Sequence, residues 1–271
     1  MSGNGYNATV IQKIQMTPNL MTLRVRPDDE VPDFKPGQYT VLGLNSSEPR
    51  LEESATDDKT YEKETLIRRA YSISSASIEK EYLEFYVALV RSGELTPRLF
   101  NLEQGSRLFM GGKIVGMFTL DSVPQEKDLL FIGTGTGLAP YMSMIRSELH
   151  IHKDRRFVII HGAACSWDLG YRDELSILDR YSDTFNYIPT ITQPEDDPSW
   201  KGETGFIQDL ITTGIVERKT GQKITPHKFD VFLCGNPKMV ETVKEILIEK
   251  EFTRHSKKEP GTIHIEEFWK M

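Results

Sequence analysis

Two kinds of hydrophobic patterning divide the chain. In the first half, apolar and polar residues alternate: Met21, Leu23 and Val25 interleave with Thr22, Arg24 and Arg26, and Leu83, Phe85, Val87 and Leu89 with Glu84, Tyr86 and Ala88. Such alternation predicts half-buried strands, one face on a core and the other in water. Residues 10–14, 39–44, 69–74, 107–110 and 116–120 are further short strand candidates, and Pro36-Gly37 and Ser92-Gly93 supply turns. Short strands joined by turns predict a small closed antiparallel barrel or a sandwich.

The style changes near residues 124–128. Leu129-Leu130-Phe131-Ile132, Phe157-Val158-Ile159-Ile160 and Val231-Phe232-Leu233 are continuous apolar runs, as expected of parallel strands covered on both faces. Between them the spacing turns helical, with Leu138, Met142, Ile145 and Leu149 on one face and Val240, Val243 and Leu247 on another. Asn236-Pro237 opens the second helix with a capping side chain and a proline at the first helical position. Strand alternating with helix predicts a doubly wound α/β parallel sheet. The expected division is residues 1–125 and 126–271.

Composition narrows the class. The 271 residues, 38% apolar and 27% charged, describe a soluble globular protein. There is no run of about 18 apolar residues to cross a membrane, and the first residues lack a secretory pattern. Cys165 and Cys234, the two cysteines, fit a reducing cytoplasm and give neither a disulfide framework nor a metal site. A net charge of -7 argues against nucleic-acid binding, which needs a basic surface. Residues 48–64 hold seven acids and three bases and read as a solvated surface loop, with an acidic partner-binding patch as the alternative.

Four motifs carry candidate chemistry. Gly133-Thr134-Gly135-Thr136-Gly137-Leu138-Ala139-Pro140 follows a buried strand and precedes an amphipathic helix. Glycines let backbone N–H groups approach an anion there; the alternative is a tight turn that binds nothing. Arg69-Ala70-Tyr71-Ser72 offers a guanidinium for phosphate, a ring for stacking and a hydroxyl for a polar ring atom. Taken alone, these are more often rim residues of a strand. Gly93-Glu94-Leu95-Thr96-Pro97 by itself is a turn. Cys234-Gly235-Asn236-Pro237 ends a second parallel strand, so it faces the same crevice as the glycine loop if the strands are neighbours. The plain alternative for Cys234 is a buried small hydrophobe.

In this order the four motifs resemble the bacterial-type ferredoxin/flavodoxin–NADP reductases, and the resemblance runs from Phe34-Lys35-Pro36-Gly37-Gln38-Tyr39 to Phe268-Trp269. It implies an N-terminal barrel that binds FAD. Arg69 would pair with the diphosphate, with Ala70 beside it in the motif. Tyr71 would stack on the isoalloxazine, and Ser72 would sit near flavin N5. Val87 and Leu89 would pass beside the flavin, while Glu94, Leu95 and Thr96 would hold the diphosphate. The C-terminal domain would take NADPH or NADH, with Gly133, Thr134, Gly135, Thr136, Gly137 and Pro140 cradling its diphosphate and Cys234 and Gly235 bordering the nicotinamide. Phe268 and Trp269 would pack on the bound FAD, at its adenine or its ring system. Tyr71, Ser72 and Cys234 are thus the expected catalytic-site residues, with no metal. The partner would be a ferredoxin or flavodoxin, with no nucleic acid and no membrane.

The chain departs from the family pattern where bases bind the 2′-phosphate of NADPH. Those places read Ala163-Ala164-Cys165, Thr192-Gln193-Pro194 and Thr204-Gly205-Phe206, so a weakened preference for NADPH is expected unless Arg172, Lys201, Lys219 or Lys223 substitutes. Lys244, Lys250, Arg254, Lys257 and Lys258 could steer an acidic carrier, or be ordinary solvated charges. The rival functions are a reductase component of a multicomponent oxygenase, a free flavin reductase, and a non-catalytic nucleotide-binding protein.

Overall fold

β1 (Ala8–Thr17) and β2 (Leu20–Pro27) open the chain as an antiparallel pair, followed by β3 (Tyr39–Asn45), β4 (Leu66–Ser72), β5 (Leu83–Ala88) and β6 (Arg107–Met110). These bounds come from a computed structural model that describes residues 5–56, 61 and 63–266. The strands pair in the order β4-β3-β6-β1-β2-β5, each neighbour antiparallel. The chain just past β4 then turns back onto β5, through an antiparallel bridge between Ile73 and Phe85 and a 2.8 Å hydrogen bond from Ser74 N to Glu84 O. That contact closes the barrel, and Val10, Met21, Leu23, Leu42, Leu44, Phe85 and Leu108 fill it. A short helix, α1 (Thr96–Phe100), adds Leu99 and Phe100 to the same core.

The second unit takes Leu120–Tyr141 and the residues from Glu148 onward, while Met142–Ser147 groups with the barrel. Its strands are β7 (Asp128–Thr134), β8 (Phe157–Ala163), β9 (Phe185–Ile191), β10 (Glu203–Thr204), β11 (Phe229–Cys234) and β12 (Ile263–Glu266). All neighbours are parallel, in the order β10-β9-β8-β7-β11-β12. The intervening helices are α2 (Ala139–Glu148), α3 (Arg172–Tyr181), α4 (Ile207–Thr212), α5 (Ile215–Thr220) and α6 (Pro237–Glu249). Leu130, Ile132, Val158, Ile160, Val231 and Leu233 pack with residues of α4, α5 and α6. Phe131, which points the opposite way by strand alternation, stacks on Tyr141 of α2 at 4.8 Å. Helices therefore cover both faces, which explains the continuous apolar runs. Asn236 caps α6 as expected, its Oδ1 accepting from Lys238 N at 2.9 Å.

Three expectations need correction. Glu84 and Tyr86 do not face water: β5 is buried on both sides. The buried Glu84 carboxylate is matched by Arg24 at 2.8 Å and by Arg146, grouped in the same unit, at 2.7 Å. A charge is tolerated inside when it is paired and hydrogen-bonded. Residues 116–120 form no strand; one bridge at Val115 reaches Tyr39, and Gly116, with φ +131°, breaks the run. α2 is not amphipathic, because Tyr141, Ser143 and Met144 are buried as fully as Met142 and Ile145, and Leu149 lies beyond its last turn. Among the described residues, no helix is long and apolar enough to cross a membrane.

Candidate functional site

In the second unit the strand order reverses between β7 and β11. The chain leaves β7 toward β8 on one side and leaves β11 toward β12 on the other, so a crevice opens at their carboxyl ends. Cys234 pairs in register with Gly133, and the two motifs singled out from the sequence thus meet. Asn236 N donates to Thr134 Oγ1 at 2.8 Å. A Cβ on Gly137 would lie 2.6 Å from the Cys234 carbonyl, and one on Gly235, whose φ is +130°, would collide with Thr134. These two glycines let the loops touch each other. Gly135 differs: its φ is +54° and a Cβ there would meet nothing. With Thr134 and Thr136 it is half-exposed, whereas Gly133, Gly137 and Pro140 are buried. The open backbone of the loop is therefore centred on Gly135, in a 3-10 turn (Gly135–Leu138) leading into α2.

Cys234 is fully buried, and that burial, reinforced by Glu266, pushes its thiol well above its ordinary value. It is a neutral thiol, not a nucleophile. Beneath the crevice, the Tyr141 hydroxyl lies 2.9 Å from the carbonyls of both Ile132 and Phe232, spanning the two strands at the reversal. Beside Gly133 on β8, His161 is fully buried with Nδ1 3.1 Å from the Tyr187 hydroxyl, and burial pushes its pKa down to about 3. Neither Tyr141 nor His161 stood out in the sequence; both carry polar atoms inside otherwise apolar runs, the one signal available.

The barrel motifs converge on one patch. Arg68, Arg69 and Ala70 are three consecutive exposed residues of β4, followed by half-buried Tyr71 and buried Ser72. Alternation fails there, leaving a bare stretch of strand. Desolvation raises the Tyr71 phenol, partly offset by the Arg69 charge. The Arg69 guanidinium pairs with Glu94, whose other oxygen accepts from the Tyr61 hydroxyl at 2.7 Å. Leu95 is buried, and the Thr96 hydroxyl is engaged with Val90 N and O at 3.0 and 3.1 Å, bracing its own turn. Buried Arg98, unforeseen in the sequence, fixes the turn further by donating to Glu94 O and Ser46 O, each at 2.6 Å. Val87 is a core residue of the barrel and Leu89 packs against that core. Phe268 and Trp269 lie outside the described residues. Among the described residues no group of three or more His, Cys, Asp or Glu could hold a metal.

Residues 131–245 match the family model of the oxidoreductase NAD-binding domain. A closed antiparallel barrel followed by such a domain defines a two-unit oxidoreductase. The chain is 32% identical over 237 residues to a flavodoxin/ferredoxin–NADP reductase of Buchnera aphidicola subsp. Baizongia pistaciae, covering 87% of this chain and 88% of that one. It is 30% identical, with the same coverage, to the enzyme of that name from Escherichia coli. A ferredoxin NADP+ reductase structure from Neisseria gonorrhoeae, with bound FAD and NADP, superposes with a TM-score of 0.79 at 25% identity, over 97% of this chain and 98% of that one. The chain belongs to the flavodoxin/ferredoxin–NADP reductase family.

Proposed function

We propose that this protein is an FAD-dependent reductase that exchanges electrons between NAD(P)H and a ferredoxin or flavodoxin of the cytoplasm. The observation that carries the reading is the registered pairing of Gly133 with Cys234 at the strand reversal, with Gly135 open above it. When bound, FAD supplies a ring that accepts two electrons as hydride and passes them on singly. Arg69 binds its diphosphate, exchanging the Glu94 carboxylate for phosphate oxygens. Tyr71 supplies the stacking surface and Ser72 orients a hydrogen bond at flavin N5. Glu94, Leu95 and Thr96 present backbone N–H groups on a turn that Arg98 keeps rigid. In the second unit, Thr134, Gly135 and Thr136 receive the nucleotide diphosphate. Cys234 and Gly235 border the nicotinamide, with the neutral thiol acting by packing and water exclusion.

The test is anaerobic mixing of the purified, FAD-loaded protein with NADH and with NADPH, followed by flavin absorbance and then by transfer to a ferredoxin or flavodoxin. Bleaching followed by carrier reduction is expected. A protein that neither nucleotide bleaches overturns the reading. A second reading, reductase component of an oxygenase, has one observation in its favour. The chain is 28% identical over 245 residues to the reductase component of phenol 2-monooxygenase from Pseudomonas sp. (strain CF600), covering 90% of this chain and 62% of that one. Bleaching without reduction of either carrier would favour it.

A further inference from the structure

We infer that the second unit selects NADH over NADPH, because a joined pair of loops presents carboxylates, and not bases, at the nucleotide-binding edge of its sheet. This rests on the reductase reading above and adds the identity of the nucleotide. The strands of the unit are all parallel, so the segments after β8, β9 and β10 leave from the same edge as the glycine loop. The first two are stitched into one surface. Ala163 O and Ala164 O accept from Thr192 N at 3.1 and 3.2 Å, and Ala164 O accepts again from Gln193 N at 2.9 Å. Asp197, in the second segment, accepts from Ser166 N of the first at 2.9 Å and from the Ser199 hydroxyl at 2.9 Å.

Four carboxylates lie on this surface: Asp168, Glu195, Asp196 and Asp197. Asp197 is buried, and the Ser166 and Ser199 donors together with the Arg172 charge hold it below the usual carboxylate range, so it stays anionic. The Cys165 thiol, between the two segments, registers the whole group. Burial raises it first, and then the fields of Asp168, Asp196, Asp197 and Glu195 raise it further.

The candidate substitute bases do not offset this. Arg172 lies over the Trp200 ring, 4.9 Å from its centroid, and its charge faces Asp197. Lys201, exposed after Trp200, is one base against four carboxylates. Lys219 lies in the last turn of α5, and the chain runs on through Lys223 to Pro226, whose carbonyl accepts from Lys127 just before β7 begins. That is the amino edge of the sheet, opposite the crevice. At the third place, after β10, Phe206 is 59% exposed. A flat uncharged ring can stack on the adenine of either nucleotide but offers nothing to a phosphate.

A 2′-phosphate of roughly -1.5 to -2 charge brought to this edge meets like charge. A ribose 2′-hydroxyl instead finds acceptors, the arrangement by which acidic residues favour NAD in dinucleotide folds. Screening by salt weakens the repulsion.

The experiment compares kcat/KM for NADH and NADPH with the FAD-loaded enzyme, together with calorimetric binding of 5′-AMP and 2′,5′-ADP as probes of the adenosine end alone. We expect NADH to be favoured by about tenfold or more, and 5′-AMP to bind more tightly than 2′,5′-ADP. Asp168→Asn with Asp196→Asn should narrow the kinetic ratio by about fivefold, and adding Ala164→Arg should narrow it further. Asp197 is left intact because it ties the loops. A tenfold wild-type bias toward NADPH, or a ratio unmoved by the double variant, overturns the inference while leaving the reductase reading intact. No flavin bleaching with either nucleotide overturns both.

Discussion

The barrel and the parallel sheet build their candidate sites from different materials. The barrel displays side chains on a bare stretch of β4: Arg69 and Ala70 are exposed, and the Arg69 guanidinium pairs with Glu94 and donates to Arg68 O at 2.8 Å. The sheet uses backbone, with two loops brought into contact through Gly137 and Gly235 and braced from below by Tyr141. A displayed side chain can change with little effect on the fold, whereas a backbone site is inseparable from the folding of its unit. Substitutions in the sheet should therefore cost stability and binding together, and substitutions on β4 should cost binding alone.

The largest effect is expected at Gly235. Valine there must adopt a φ of +130° and push against Thr134. Unfolding in urea should show a loss of about 3 kcal/mol or more. A loss below about 0.5 kcal/mol would mean the loops do not depend on each other. Tyr141→Phe comes next. It removes the hydroxyl between the two carbonyls and should cost about 1–3 kcal/mol by the same measurement.

His161 supplies a pH test of the sheet alone. Its folded pKa of about 3 lies below the unfolded value of about 6.5. Between these values the unfolded chain binds a proton that the folded chain does not. Stability should fall as pH drops below about 6.5, by about 1.4 kcal/mol per unit, until the folded pKa is reached. A His161→Gln variant should lose that slope while keeping the carboxylate contribution; an unchanged slope would show that the imidazole is not desolvated. Arg69→Ala should weaken FAD binding by about tenfold, read by fluorescence titration, with stability changed by less than about 0.5 kcal/mol. The smallest effect is expected from Glu94→Gln, which releases the guanidinium and should tighten FAD by about two- to threefold. Weaker binding there would mean that Glu94 assists the site.

Legibility followed the same contrast. The buried strands β7, β8 and β11 could be read because parallel strands covered on both faces leave unbroken apolar runs, and Asn236-Pro237 announced α6. The barrel strands were legible by alternation until a charge had a partner. Glu84 looked solvent-facing because no local pattern reveals that Arg24 lies across the sheet to neutralise it. α2 was misread as one-sided because Ser143 is buried in spite of its hydroxyl and the Tyr141 hydroxyl finds partners inside, and neither is visible to a hydrophobic pattern. The glycine loop was legible as a motif, but the split between glycines that pack and the one that stays open was not. That split depends on which residue of a distant strand stands opposite. Arg98 was missed for a related reason, since one of its two carbonyl partners, Ser46 O, is near in space but far in sequence.

The hydrogen bond from Ser74 to Glu84 and the bridge between Ile73 and Phe85 join the two ends of the barrel sheet. The open sheet has two rims, and both are blunted. β10 is only two residues long, and the segment from Thr253 to His255 runs along β12, with Arg254 bridged to Ile263 and His255 N donating to Ile263 O at 2.8 Å. Among the described residues, the parallel sheet offers no long row of free amides and carbonyls to a passing chain. Encounters at those two rims must then be made through side chains. Such contacts release readily, as suits a shuttle that meets its carrier, hands over charge and lets it go.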